Sequence, residues 1–186
     1  MTGCNLNCNY CDTEYAKHDG ENFSIDDVIS KIAQYNCKLV EITGGEPLLQ
    51  EDIFSLVDVL LKNGYNILVE TNGSQSIENL PKKVIKIIDW KTPGSDVGNS
   101  FDINNLDFIT KDDEIKFVVS NREDFLWCKD KIKQNNLTNI CKVLMSTVNG
   151  KLDPAELCEW IIEENLDIKF QLQLHKYIWP NDEKGR

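Results

Sequence analysis

Short apolar runs alternate with amphipathic stretches along this chain. Six runs rich in β-branched residues stand out: "KLVEITGG" (38–45), "NILVETNG" (66–73), "VIKIIDWK" (84–91), "EIKFVVS" (114–120), "CKVLMSTV" (141–148) and "IKFQLQLHK" (168–176). Most are nearly continuous in apolar residues, which predicts strands covered on both faces. Between them lie helical periods. "SIDDVISKIAQYN" (24–36) begins at Ser24, a good N-cap, with Asp26 and Asp27 in its first turn and Ile25, Val28, Ile29 and Ile32 on one face. "DIFSLVDVLLKNG" (52–64) closes on Gly64, placed as a C-cap glycine. "REDFLWCKDKIKQNN" (122–136) and "DPAELCEWIIEEN" (153–165) complete the set, the latter with Pro154 near a helix start. Segments 73–84 and 91–114 read as loops.

Strands that alternate with helices predict parallel pairing through crossovers. Six strands fit either an open doubly wound sheet or a partial barrel. The polar, Gly-rich words favour the barrel. "TGGEP", "ETNGS", "DWKTPGS", "STVNG" and "LHK" all fall at the carboxyl ends of predicted strands. In barrels, chemistry collects at that end.

The chain has 186 residues, enough for one domain, and no linker or repeat interrupts it. A net charge of −11 disfavours nucleic acid as a partner. No run of 18 apolar residues and no signal-peptide pattern is present, so a cytoplasmic protein with no membrane partner is expected.

Seven cysteines occur. Cys37, Cys128, Cys141 and Cys158 are scattered among apolar residues and read as small buried hydrophobes. Cys4, Cys8 and Cys11 differ: "MTGCNLNCNYCDTEYAK" places three thiols in eight residues, spaced Cys-x3-Cys-x2-Cys. Structural zinc wants four ligands, and only His18 and His175 could supplement the thiols. An iron–sulfur cluster fits better. Three thiolates on a four-iron cluster leave one iron open for chemistry, where an ordinary electron carrier takes a fourth cysteine. Asn5, Asn7 and Asn9 are small enough for a tight loop around such a cluster.

With Tyr10 before the last cysteine, this motif resembles that of the radical S-adenosylmethionine (SAM) superfamily. "TGGEPLLQ" (43–50) resembles the Gly-Gly-Glu-Pro motif of the same superfamily. The resemblance implies an α/β fold, a partial (β/α)6 TIM-like barrel with parallel strands. It also implies a [4Fe-4S] cluster on Cys4, Cys8 and Cys11, with SAM chelating the open iron. The words "CDT", "ETNGS", "DWKTPGS" and "LQLHKYIW" narrow the resemblance to the 7-carboxy-7-deazaguanine synthases of queuosine and 7-deazapurine biosynthesis. Those enzymes contract the ring of 6-carboxy-5,6,7,8-tetrahydropterin with loss of ammonia. A deoxyadenosyl radical takes hydrogen from carbon 6 of the pterin, and SAM is re-formed.

Residue roles follow from that resemblance. Tyr10, Cys11 and Asp12 are expected beside SAM, as are Gly45, Glu46 and Asn72, with Glu46 accepting from the SAM ammonium. Asp89, Trp90 and Lys91 form a second SAM-lining stretch. Ser146, Thr147, Val148 and Asn149 form a third, where Thr147 replaces the proline of the family pattern Ser-Pro-Val. Thr13 is the expected Mg²⁺ ligand. Thr43 and His175, the latter at the end of the last strand, are expected pterin contacts. Lys176 and the tail at Arg186 are weaker candidates. The resemblance further implies a homodimer, and flavodoxin or ferredoxin as reductant. It implies an upstream strand, arginine and substrate loop that 1–186 does not contain, so the expectation is a single radical SAM domain lacking those parts. The nearest rival is a radical SAM activating enzyme that installs a glycyl radical on a partner protein.

Overall fold

The computed structural model describes residues 1–18 and 20–179. Six strands form one all-parallel sheet: β1 (Leu39–Ile42), β2 (Asn66–Thr71), β3 (Ile85–Asp89), β4 (Glu114–Val119), β5 (Lys142–Thr147) and β6 (Lys169–Phe170). Their spatial order is their chain order. A doubly wound sheet reverses order at a switch point. Sequential order without reversal is that of a barrel left open between β1 and β6.

The predicted helices form from the signals that predicted them. α1 (Ile25–Ile32) starts at Ser24 in a reciprocal capping box: Ser24 Oγ accepts from Asp27 N, and the Asp27 carboxylate accepts from Ser24 N. α2 (Ile53–Lys62) is followed by Gly64 at φ 76°, a left-handed turn that favours glycine. α3 (Arg122–Gln134) is capped by the Asn121 side chain, a short α4 (Leu137–Ile140) follows, and α5 (Pro154–Glu163) has Pro154 in its first turn.

Successive strand residues point to opposite faces of the sheet. On the outer face, Ile67, Val69 and Ile88 pack with Ile53, Val57 and Leu60 of α2. Ile115, Phe117, Val143 and Met145 pack with Phe125 and Cys128 of α3 and Leu157 of α5. The inner face is not the apolar layer that continuous apolar runs suggested. It presents Glu41, Glu70, Asp89, Lys116 and Ser146, one from each of β1 to β5, to a cavity.

The last element departs most from its sequence pattern. β6 holds only two residues, and α6 (Leu174–Ile178) replaces the rest of the expected strand. β6 has a single neighbour. Past Gln171, whose N–H still reaches Met145 O at 2.8 Å, no ladder competes with the helical preference of Leu174 and Lys176. His175 therefore sits in a helical turn, not at a strand end. No helix among the described residues is long and apolar enough to cross a membrane.

Candidate active site

The carboxyl ends of the strands surround a cavity of about 880 Å³. The cysteine segment forms one wall. Its beginning is bonded to the end of β1: the Met1 ammonium donates to Thr43 O at 2.6 Å, Gly45 N to Met1 O at 3.0 Å and Glu46 N to Gly3 O at 2.8 Å. Gly44 and Gly45 permit that approach, since a Cβ on either would collide with the backbone of Met1 or Gly3. The far side of the segment is bonded to the turn after β3. Asn9 N donates to Ser95 O at 3.1 Å, and Asn9 Nδ2 to Gly94 O at 2.9 Å and Asp96 Oδ2 at 2.8 Å.

Cys4, Cys8 and Cys11 are free thiols, half-buried, and all three line the cavity. Burial pushes the Cys8 thiol up, with the Lys91 ammonium pulling the other way. Among the described residues no three His, Cys, Asp or Glu side chains converge on one metal ion. A four-iron cluster asks for no such convergence, because its three thiolates bind three different irons. Three thiols on one wall of a cavity this large fit that group.

The floor is charged. Lys91 Nζ lies 2.6 Å from Asp89 Oδ2, and Lys116 Nζ 2.7 Å from Glu70 Oε1. Burial works against both ammonium groups. That is the largest single influence on each, but Asp89 together with Cys8 and Tyr10 outweighs it for Lys91, and Glu70 together with Asp89 for Lys116, so both titrate above the ordinary lysine range. Glu41 is pushed up by burial and then by Glu70. Burial pushes the Tyr10 phenol up to about 12. The buried Asp89 Oδ1 and Ser146 Oγ have no hydrogen-bond partner among the described residues, and both residues line the cavity. Unpaired buried acceptors and hydroxyls are sites where a ligand gains most.

Most residues singled out from the sequence line this cavity: Tyr10, Cys11, Asp12, Thr13, Thr43, Gly45, Asn72, Asp89, Lys91, Ser146, His175 and Lys176. His175 Nε2 is 3.5 Å and Lys176 Nζ 3.8 Å from Asp12 Oδ2, and Gln173 Nε2 donates to the same oxygen at 3.4 Å. These contacts tie α6 to the cysteine segment across the open side of the barrel. Five residues lie elsewhere. Trp90, one step past Asp89, points to the outer face and stacks on Phe101 at 3.9 Å. Val148 is buried, and Thr147 and Asn149 line a small separate recess. Glu46 is buried behind the cavity wall. His18 is exposed in a turn, and Arg186 lies outside the described residues. Sequence reasoning missed Glu41 and Lys116. Each is a charge inside an apolar run, in the strand register that faces inward.

A family model described as the Radical SAM superfamily matches residues 1–161. Relatives match over the whole chain. A 7-carboxy-7-deazaguanine synthase from Koribacter versatilis is 40% identical over 200 residues, covering 100% of this chain and 88% of the relative. Those from Chlorobaculum tepidum and Clostridium acetobutylicum are each 36% identical, covering 100% of this chain and 86% and 87% of the relatives. The chain belongs to the 7-carboxy-7-deazaguanine synthase family of radical SAM proteins. Membership implies a [4Fe-4S] cluster and SAM. Among solved structures, Streptococcus suis SuiB bound to precursor peptide SuiA aligns with a TM-score of 0.68 at 15% identity, over 93% of this chain and 47% of that one. SuiB bound to S-adenosylmethionine aligns at 0.65 and 16% identity, over 99% and 52%. The chain spans about half of those structures. At this identity the likeness shows the radical SAM fold alone.

Proposed function

We propose that this protein converts 6-carboxy-5,6,7,8-tetrahydropterin to 7-carboxy-7-deazaguanine with loss of ammonia, in the cytoplasm and as a homodimer. The observation that carries the reading is the meeting of the three-cysteine segment with the end of β1 at one charged cavity, in a chain 40% identical to a relative of that name. Cys4, Cys8 and Cys11 would hold the cluster. That cluster, with one iron left open to SAM, would supply the electron for reductive cleavage of SAM.

The chain's own residues do the rest. Gly44 and Gly45 let the cysteine segment pack on the backbone end of β1. Lys91 supplies a fixed positive charge, and Asp89 Oδ1 and Ser146 Oγ offer unused polar positions for SAM. Glu41, Glu70 and Lys116 give the inner wall both signs of charge, suited to a substrate with a carboxylate at one end and N–H donors at the other. His175 stands at the rim as a pterin contact. Thr13 Oγ1, 2.9 Å from Asp12 Oδ1, would be an oxygen ligand for Mg²⁺, an ion that keeps waters and takes few protein ligands. A flavodoxin or ferredoxin would supply the electron.

The decisive assay is anaerobic. The cluster is reconstituted, SAM, Mg²⁺ and the carboxytetrahydropterin are added, and products are read by mass. The deazaguanine is expected. Its absence, with 5′-deoxyadenosine formed only in the presence of a partner protein, would favour the glycyl-radical activating enzyme, a role that none of the relatives named above bears.

A further inference from the structure

Glu46 belongs to the Gly-Gly-Glu-Pro motif, yet its side chain is turned from the cavity and wholly buried. Both carboxylate oxygens are engaged by the protein. Oε1 accepts from Leu48 N at 3.0 Å and Thr71 Oγ1 at 2.8 Å, and Oε2 accepts from Asn72 N at 2.7 Å. A buried carboxylate saturated in this way is an anchor. What it anchors is the turn after β2.

Asn72 leads that turn, and its side-chain orientation is fixed by its neighbours. A backbone N–H can only donate, so the amide oxygen faces Ser74 N at 3.0 Å. The amide nitrogen then faces the other way. It lies 3.7 Å from Cys4 Sγ and 3.1 Å from Asn5 Oδ1. Asn5 Nδ2 in turn donates to Ser74 Oγ at 2.8 Å. The end of β2 thus grips the first residues of the cysteine segment through side chains alone.

We propose that Asn72 is a positioning residue for the cluster, its amide N–H aimed by the buried Glu46 carboxylate at the Cys4 sulfur, where it orients that ligand and raises the cluster's reduction potential. The inference rests on the reading of Cys4, Cys8 and Cys11 as cluster ligands. A donor to a ligating sulfur stabilises the more negative, reduced form of a cluster. Glu46 acts through Asn72, and not on the cofactor.

The test is a redox titration of the anaerobically reconstituted holoprotein, followed by electron paramagnetic resonance. Asn72→Asp keeps the shape and replaces the donor with an acceptor, so its potential is expected below that of wild type. Glu46→Gln turns one acceptor into a donor that faces a backbone or hydroxyl donor, and is expected to shift the potential the same way by less. Asn72→Ala carries the test if the aspartate repels the cluster: chelator is expected to remove its iron roughly 10-fold faster or more, the usual effect of losing an outer partner of a metal ligand. A loaded Asn72→Asp cluster at the wild-type potential overturns the inference. So does wild-type iron retention in Asn72→Ala, and so does a Glu46→Gln protein that binds SAM more weakly with its potential unmoved, the behaviour of a direct cofactor contact. A wild-type chain that takes up no iron overturns the proposed function itself, which separates the two failures.

Discussion

Lys91 Nζ and Asp89 Oδ2 lie 2.6 Å apart, both mostly buried, at the inner end of β3. Alternation places residues 89 and 91 on the same face, so the pair faces the cavity. Burial pulls the Lys91 ammonium down, but Asp89, with Cys8 and Tyr10 behind it, holds it above the ordinary lysine range. A raised folded-state value means the pair's stabilisation is complete below the ordinary lysine range and fades only above it. It is therefore flat through neutral pH.

Asp89→Asn removes the main balancing charge and leaves burial, the largest influence on Lys91, opposed only by Cys8 and Tyr10, so the Lys91 ammonium is expected to fall below its unfolded value. The unfolded chain then binds more protons between the two values, so stability of the variant should rise with pH in that window. The loss at neutral pH should be about 1–3 kcal/mol. Urea unfolding at neutral and alkaline pH measures both. A pH-independent loss would contradict the assignment.

Lys86 and Asp113 form a second ion pair at 3.0 Å, each side chain only 2% exposed, on the outer side of the sheet. Asp113 also accepts from Lys86 N at 2.8 Å and Thr110 N at 2.7 Å. Asp113→Ala strands a buried ammonium and should cost about 3–5 kcal/mol. The double change Lys86→Met with Asp113→Leu should recover most of the charge penalty, though not the backbone bonds. Denaturant midpoints read both.

Gly45→Ala would drive a Cβ into the carbonyl of Gly3 and toward Cys4. The cysteine segment then cannot pack on the end of β1. Iron content after reconstitution should fall roughly 10-fold while the helical circular dichroism stays, because α2, α3 and α5 lie on the other face.

Thr13→Ala removes the proposed Mg²⁺ oxygen donor without touching a thiol. Half-maximal activity should need roughly 10-fold more Mg²⁺. The iron content should be that of wild type.

Much of the frame was legible in the sequence because local chemistry and tertiary structure agree there. Ser24, Gly64 and Pro154 mark helix ends with the side chains that helix ends require. The polar words after β1, β2 and β3 do meet at one mouth, since parallel strands in sequential order share one carboxyl end, whereas of the word at the end of β5 only Ser146 reaches it, and His175 and Lys176 come to it from α6. The rest depended on direction and on long-range partners. Trp90 adjoins Asp89 in the chain but faces away from it, and a motif read as a block hides that alternation. Glu46 looks like a ligand by its word and is an anchor by its three donors, which come from residues 48, 71 and 72. The shortness of β6 follows from its having one neighbour, a fact of the assembled sheet.

The proposed chemistry requires a cluster with one iron free for SAM. The direct measurement is the electron paramagnetic resonance spectrum of the reduced, iron-loaded protein before and after SAM is added. A clear change in the signal is expected as SAM occupies that iron. An identical spectrum at saturating SAM, from a protein carrying its full iron, would contradict it.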